Sequence, residues 1–320
     1  MAVKCVLRTH FTAMRTPKNA SFNSEAFLSQ LADMLATHGA PAVSAYDLGR
    51  YVFLHGQDAG HQPDKIVFTA LCDALLRVRL LSAIDPFAQT KAYLLFGKGD
   101  ATPADIVCSL DPFAYVSHLS AMEYHGLTDR FPKILYMTRP ALPQWRDQAK
   151  ARMWRDLGDH LQPYLDAGLP KLTQPKISRL GQTSVQFFER SQLGAFRLVA
   201  GSSLRVATIG RVFLEMIREP SLCGGMQHVI DIYKREAGRY LPLIVDEVNQ
   251  HGLPIDKVRL GFLLSEVCGL DHPVLREWDE LAQRGGSRKL DPEGEYLPVF
   301  SERWQLSLNV PSLSRSADEA

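Results

Sequence analysis

Three ionisable side chains lie close together in His118-Leu-Ser-Ala-Met-Glu123-Tyr-His125. Two histidines seven residues apart share one face of a helix, and the glutamate between them invites a metal site. A zinc hydrolase helix needs its histidines four apart, so that both rings reach one ion, with the glutamate beside the first. This spacing fails that requirement. No metal and no other cofactor is expected, and capping, packing and inter-helix hydrogen bonding are the expected employment of these residues. No Gly-x-x-x-x-Gly-Lys-[Ser/Thr] loop is present to cradle phosphates, and no Gly-x-Ser-x-Gly elbow to present a nucleophile. The glycines of Cys223-Gly224-Gly225 suit a sharp turn between helices. Asp246 and Glu247 are neighbours on a helical pattern and so point apart. An active site would have to be assembled from scattered residues such as His118, Glu123 and Arg211, and the chain is expected not to be an enzyme.

A second pattern concerns recognition. Lys65, Thr69, Asp73 and Arg77 recur at every fourth position and form one slowly drifting polar stripe on a helix expected over 64–79. Ile66, Val67, Ala70, Leu71, Ala74, Leu75 and Val78 supply its wide apolar face. Two helices precede it, expected over 23–37 and 44–54. Two short strands follow, over 80–84 and 92–96, with Asp85-Pro86 turning between them. Three helices and then a β-hairpin is the order of a winged helix-turn-helix, in which the third helix enters the major groove and the wing touches the backbone. Lys65, Thr69, Asp73 and Arg77 are then the expected DNA-reading residues, with Arg79 and Lys91 beside them at the starts of the strands. Asp73 is unusual on such a face, because phosphates repel it, although a carboxylate can accept from a cytosine amino group. Residues 1–20 carry Lys4, Arg8, Arg15 and Lys18 and no acid, so Arg8, Arg15 and Lys18 are further candidates, on an arm along the phosphate backbone. The alternative is a winged domain that docks onto protein.

The remainder positions these features. The chain has 320 residues, enough for two or three domains. The expected organisation is α+β and mainly α. A basic arm (1–22) leads into a winged helix-turn-helix (23–98), an α/β middle region (99–208), a helical C-terminal array (209–311) and a polar tail (312–320). In the middle region a helix is expected over 103–110. Asp111-Pro112 is read as the cap of another helix running through Tyr115, Leu119 and Met122 to Gly126. A strand is expected over 134–138, a charged helix over 142–157, and strands within 176–190 and 196–206. The charged helix, with Arg146, Lys150, Arg152 and Arg155, is read as a solvated face or a surface for phosphate or an acidic partner. Helices are then expected over 226–239, 241–251 and 255–268, another from Asp271-His272-Pro273 to Gly285-Gly286, and strand character within 297–310.

Composition agrees with a folded chain: 46% hydrophobic, 22% charged, net charge +1. No apolar run reaches the roughly 18–20 residues of a membrane helix, and residues 1–10 show no secretory pattern. The five cysteines form no Cys-x-x-Cys pair and read as reduced thiols, so a cytoplasmic location and no membrane partner are expected.

The segment Pro112-Phe-Ala-Tyr115-Val-Ser117-His118-Leu-Ser120-Ala121-Met-Glu123-Tyr124-His125-Gly126-Leu127 resembles the "Y-[IV]-S-x-x-S-A-L-E-x-H-G-L" helix of the AbiEi antitoxins of type IV abortive-infection toxin–antitoxin systems. Residues 212–225, with Leu214, Arg218, Pro220 and Cys223-Gly224-Gly225, are similar to that family's "L-[LI]-D-x-[LI]-R-x-P-E-x-x-G-G" segment. Here Thr208-Ile209-Gly210-Arg211 replaces the usual Ser-Pro-Glu-[Arg/Lys], and Glu215 the usual aspartate. The resemblance spans about residues 24–310. It implies an N-terminal winged helix-turn-helix that represses its own operon at inverted repeats in operator DNA. It further implies an antitoxin domain that opposes a nucleotidyltransferase-like toxin, directly or only functionally, in phage defence, and a protein that is a monomer in solution or a dimer on DNA. Tyr115, Ser117, His118, Ser120, Glu123, His125, Gly126, Arg218, Gly224 and Gly225 are the residues it singles out, in structural or partner-binding roles. Among them only His118, Glu123 and His125 of the first motif carry groups suited to a partner; the small Ser117, Ser120 and Ala121 and the helix-ending Gly126 read as packing.

Overall fold

Helix α1 (Ser24–Thr37) buries Phe27, Leu28, Leu31 and Leu35, the three-and-four spacing of a single apolar stripe. The computed structural model describes residues 24–58, 63–84, 91–283 and 288–313. Arg8, Arg15 and Lys18 of the basic arm therefore lie outside the described residues, as do the turn at 85–90, Gly285-Gly286 and the tail from 314. The fold is mixed α/β, with eleven α-helices and two sheets among the described residues.

After α1 the chain forms a short strand β1 (Ala42–Ser44), then α2 (Ala45–Asp58) and α3 (Lys65–Arg77). Asp64 caps α3, its carboxylate accepting from the backbone of Ile66 and Val67 at 2.9 Å each. Strands β2 (Leu81–Ala83) and β3 (Ala92–Leu95) pair antiparallel, and β1 joins the other side of β3, giving the order β1-β3-β2. The hairpin follows the sequence expectation. Strand β1 had no expectation, because three residues between a glycine-proline turn and a helix show no period.

The buried side of α3 is turned from the expected apolar face and takes in Phe68 and Cys72, which that face omitted. Phe68, Leu71, Cys72, Ala74 and Leu75 are buried, whereas Ile66 is 69% exposed and Ala70 also faces solvent. Ile66 occupies the first turn, one position past the stripe that meets α1 and α2.

The core around these helices does not end with the hairpin. Helix α4 (Pro103–Leu110) follows β3, and further on α6 (Leu142–Leu157) returns and lays Trp145, Ala149, Met153 and Leu157 into the core of the N-terminal helices. A single turn of 3₁₀ helix then leads into α7 (Leu161–Asp166), whose Tyr164 joins them. Arg152 of α6 bonds Asp47 of α2 at 2.9 Å. Of the four basic residues of the charged helix, Arg146, Lys150 and Arg155 are thus solvated and Arg152 is not. A residue every fourth position is a narrow apolar stripe, easily masked by the charges around it.

The second sheet has the order β6-β7-β5-β4-β9-β8. It comprises β4 (Tyr115–Val116), β5 (Ile134–Pro140), β6 (Arg179–Leu180), β7 (Thr183–Arg190), β8 (Phe196–Leu198) and β9 (Arg205–Ala207). The pairs β5–β7 and β4–β9 are parallel and the others antiparallel. Residues 111–116 correct the sequence reading: Asp111-Pro112 starts no helix. Asp111 ends α4, and its buried carboxylate accepts from Phe113 N at 3.1 Å and from Trp145 Nε1 at 2.9 Å. Tyr115 and Val116 then pair as β4, and helix α5 begins only at His118 (His118–Tyr124). The Asp-Pro pair is a good helix start locally, but Asp111 is bound to a helix over thirty residues away.

Helices α8 (Ile209–Arg218), α9 (Met226–His251), α10 (Pro254–Phe262) and α11 (Val274–Asp279) form the C-terminal array. The two helices expected over 226–239 and 241–251 are one. Pro242 removes one backbone donor, yet Ile244, Val245 and Val248 continue the buried stripe of Val229, Ile230 and Tyr233 across it. Helix α10 runs into a π turn (Leu263–Val267), and 297–310 contributes isolated bridges rather than strands.

Candidate functional site

Two places gather the singled-out residues. The first is the outer face of α3. Lys65, Thr69, Asp73 and Arg77 are all exposed and share that face. Thr69 Oγ1 donates to Lys65 O at 2.8 Å, leaving its lone pairs free to accept, and Arg77 Nε donates to Asp73 O at 3.3 Å. Arg79 and Lys91 are exposed as well.

Arg79 is held in an unusual conformation. Leu80 N donates to Leu75 O at 3.0 Å and Arg79 N to Leu76 O at 3.1 Å, the two bonds of a Schellman cap. That cap requires a left-handed residue, and Arg79 supplies it with φ 58°. The same cap closes α5, where Leu127 N bonds Met122 O and Gly126 N bonds Glu123 O, but there the left-handed residue is a glycine with φ 67°. The sequence-level role of Gly126 is met in full. The strained arginine had no sequence signal, because any residue type can precede a strand.

The second place lies between α5, the second sheet and α8, and joins both motif segments. His118 is buried and adopts φ 51°, which is costly for a non-glycine residue and persists only where neighbours enforce it. Its backbone N–H donates to Glu215 Oε2 at 2.9 Å. Its Nε2 lies 3.0 Å from Glu219 Oε2 and its Nδ1 2.9 Å from Ser117 Oγ. A carboxylate only accepts, so in the neutral ring Nε2 carries the hydrogen and Nδ1 accepts from the Ser117 hydroxyl. Ser117 Oγ in turn accepts from Thr138 Oγ1 at 2.9 Å. The His118 ring packs on Phe188, with centroids 4.7 Å apart.

Glu215, which stands where the related motif has aspartate, is the tie between the two segments. Its second oxygen accepts from Arg211 Nε at 3.1 Å, and Arg211 Nη1 lies 3.7 Å from Glu247 of α9. Glu219 is clasped from its other side by Arg190 Nη2, at 2.5 and 2.6 Å. Burial alone would raise the Glu219 pKa, but hydrogen bonds from His118 and Arg190 hold it down at about 2. Glu219 and Arg190 escaped the sequence reading because their partners lie far away along the chain, while Glu215 showed only as a departure from the related motif and Glu247 only as the neighbour of Asp246.

The other motif residues part company. Glu123 is exposed and does not reach His118. His125 Nε2 donates to Ala207 O of β9 at 2.7 Å, and burial lowers the ring's pKa. Ser120 Oγ donates to Ile134 O at 3.3 Å and accepts from Tyr136 N at 3.0 Å, fastening α5 to β5. Tyr115 stacks on Phe196, and its hydroxyl accepts from Gly194 N at 3.4 Å. Arg218 bonds Asp256 Oδ2 at 2.7 and 2.9 Å and His251 O at 2.7 Å, joining α8 to α9 and α10. Gly224 and Gly225, both with positive φ, turn the chain into α9, and Gly224 O accepts from Arg130. Among the described residues no group of three or more His, Cys, Asp or Glu is arranged to hold a metal, and no helix is long and apolar enough to cross a membrane.

The Ser117-His118-Glu219 chain has the composition of a nucleophilic triad, yet Ser117 is fully buried and its oxygen is already engaged by two neighbours. These bonds join the segment around His118 to the end of α8. No protein-family model and no curated protein matches the chain.

Proposed function

We propose that this chain is a DNA-binding transcriptional autorepressor of a toxin–antitoxin operon, acting without catalysis in the cytoplasm. The observation that carries the proposal is the exposed stripe Lys65, Thr69, Asp73 and Arg77 on α3, flanked by Arg79 and Lys91. Three helices with β1 inserted after the first, and a hairpin whose second strand is central, fit a winged helix-turn-helix. In that reading α3 enters the major groove, and Arg79 and Lys91 lie toward the phosphates. Asp73 accepts from a cytosine amino group.

The antitoxin half of the reading rests on the resemblance of the segments at 112–127 and 212–225. Their meeting at Glu215 and Glu219 supports treating them as one unit. The toxin opposed is a nucleotidyltransferase-like protein. Purified protein is titrated with its own upstream promoter duplex and with a scrambled duplex of equal length at near-physiological salt. A preference of about a thousandfold, reduced by Lys65→Glu or Arg77→Glu, is expected. Equal, weak binding to both overturns the reading. Ile66, 69% exposed beside the stripe, favours the alternative of a protein-docking module; that reading calls for a tight partner complex and only nonspecific affinity for DNA.

A further inference from the structure

A cleft of about 340 Å³ opens between the start of α3 and the segment that follows α7. Lys65 enters it from α3, Lys91 from the edge of β3 and Lys171 from the segment after α7, with the Thr69 hydroxyl among them and Phe68 and Pro170 as apolar wall. No lining residue is acidic. Asp47, which bonds Ser44 nearby, is matched by Arg152 at 2.9 Å. All three lysines are exposed, and none of their ammonium groups forms an ion pair among the described residues. Like charges gathered around one concavity repel each other and concentrate anions there.

The cleft is also held open in advance. Lys65 N donates to Ala167 O at 3.1 Å, and Tyr164 hydroxyl to Pro170 O at 2.6 Å. The same loop rests on α2 at Gly49, where a Cβ would meet the Tyr164 hydroxyl at 2.8 Å and Pro170 at 3.1 Å. A ligand would pay little ordering cost in such a site. Its volume is at the lower end for small-molecule pockets, which suits a mononucleotide.

We propose that this cleft binds a phosphate-bearing small molecule of mononucleotide size. The phosphate sits among Lys65, Lys91 and Lys171, and the less polar part lies against Phe68 and Pro170. The proposal stands apart from the DNA-binding reading, but Lys65 and Thr69 serve both, so where both hold, ligand and DNA compete. A DNA backbone phosphate offers the same chemistry from another source.

The test is calorimetric titration of the full chain with AMP and UMP, with adenosine as the uncharged control. Saturable binding of a mononucleotide is expected. It should weaken about tenfold or more in Lys171→Glu and remain in Arg155→Glu, a charge reversal on the solvated side of α6 outside the cleft, with no binding of adenosine. Absence of saturable mononucleotide binding, or binding indifferent to Lys171→Glu, overturns the proposal. If Lys171→Glu weakens promoter binding while no mononucleotide binds, the cleft takes backbone phosphate; the small-ligand proposal then falls and the DNA reading stands. If a mononucleotide binds in this way and the promoter does not, the proposal stands and the DNA reading falls.

Discussion

Replacing Arg79 by glycine should move stability and DNA affinity in opposite directions. A left-handed conformation costs an ordinary residue about 1–2 kcal/mol, and glycine avoids that cost. Glycine also adds roughly 0.5–1 kcal/mol of backbone freedom to the unfolded chain, which offsets part of the gain. The side chain is exposed and φ is 58°, so little packing is lost, and a net stabilisation of about 0.5–1 kcal/mol remains. At about 2–4 °C per kcal/mol for chains of 150–250 residues, and less for longer ones, Tm should rise by about 1–2 °C. If Arg79 neutralises a phosphate, the same substitution removes one released counterion. The slope of log affinity against log salt should then shrink by about 0.9. Arg79→Lys keeps both charge and strain and should leave Tm unchanged. The measurements are scanning calorimetry and promoter binding over a salt series. A lower Tm for Arg79→Gly would refute the strain argument. An unchanged salt slope would remove Arg79 from the interface. The converse substitution at the matching cap, Gly126→Arg, carries the same two opposing contributions and should destabilise by about 0.5–1 kcal/mol, since a Cβ there meets nothing within 4 Å.

Further expectations follow from the buried network and the shared core. Glu215→Ala strands Arg211 and the His118 N–H in the interior and should cost about 3–5 kcal/mol, read as a lowered urea midpoint, whereas an unchanged midpoint would show that Glu247 suffices for Arg211. Stability should fall with acid in two windows. The His125 pKa is lowered in the folded state, so its contribution is complete above the unfolded value near 6.5 and declines as pH drops below it; the Glu219 pKa is lowered to about 2, so its contribution is complete above about 4.5 and is lost on the way to 2. His125→Gln should flatten the first window in pH-dependent melting, and persistence of that window would assign it elsewhere. A fragment of residues 24–98 lacks Trp145, Met153 and Tyr164 and should fail to unfold cooperatively, because each such loss costs roughly 2–5 kcal/mol; a sharp thermal transition in the fragment would contradict the shared core.

What the sequence made legible was whatever is settled within a few residues. The start of α3 near Asp64, the spacing of Leu71, Ala74 and Leu75, and Gly126 at the end of α5 each depend on neighbours, and each could be read from types and intervals. The exposed stripe of α3 was legible for the same reason, since polar residues at every fourth position leave one face for solvent. What depended on distant partners was not. Asp111 looks like a helix cap until Trp145 is known to take its carboxylate, and α6 looks like a solvated rod until Met153 and Leu157 are seen in another element's core. The candidate sites divide along the same line. A surface that meets an outside partner is built from one helix and shows its pattern in the chain. The network around His118 needs α5, β5, β7, α8 and α9 together, and its energetic centre, Glu215, appears in sequence only as a departure from a related motif. Glutamate is one methylene longer than aspartate, and here it spans from the Arg211 guanidinium to the His118 backbone. Glu215→Asp therefore tests whether the longer acid is what allows His118 to keep its left-handed φ. The shorter carboxylate should reach one donor and release the other, at a cost below that of Glu215→Ala, because the charge on Arg211 remains matched.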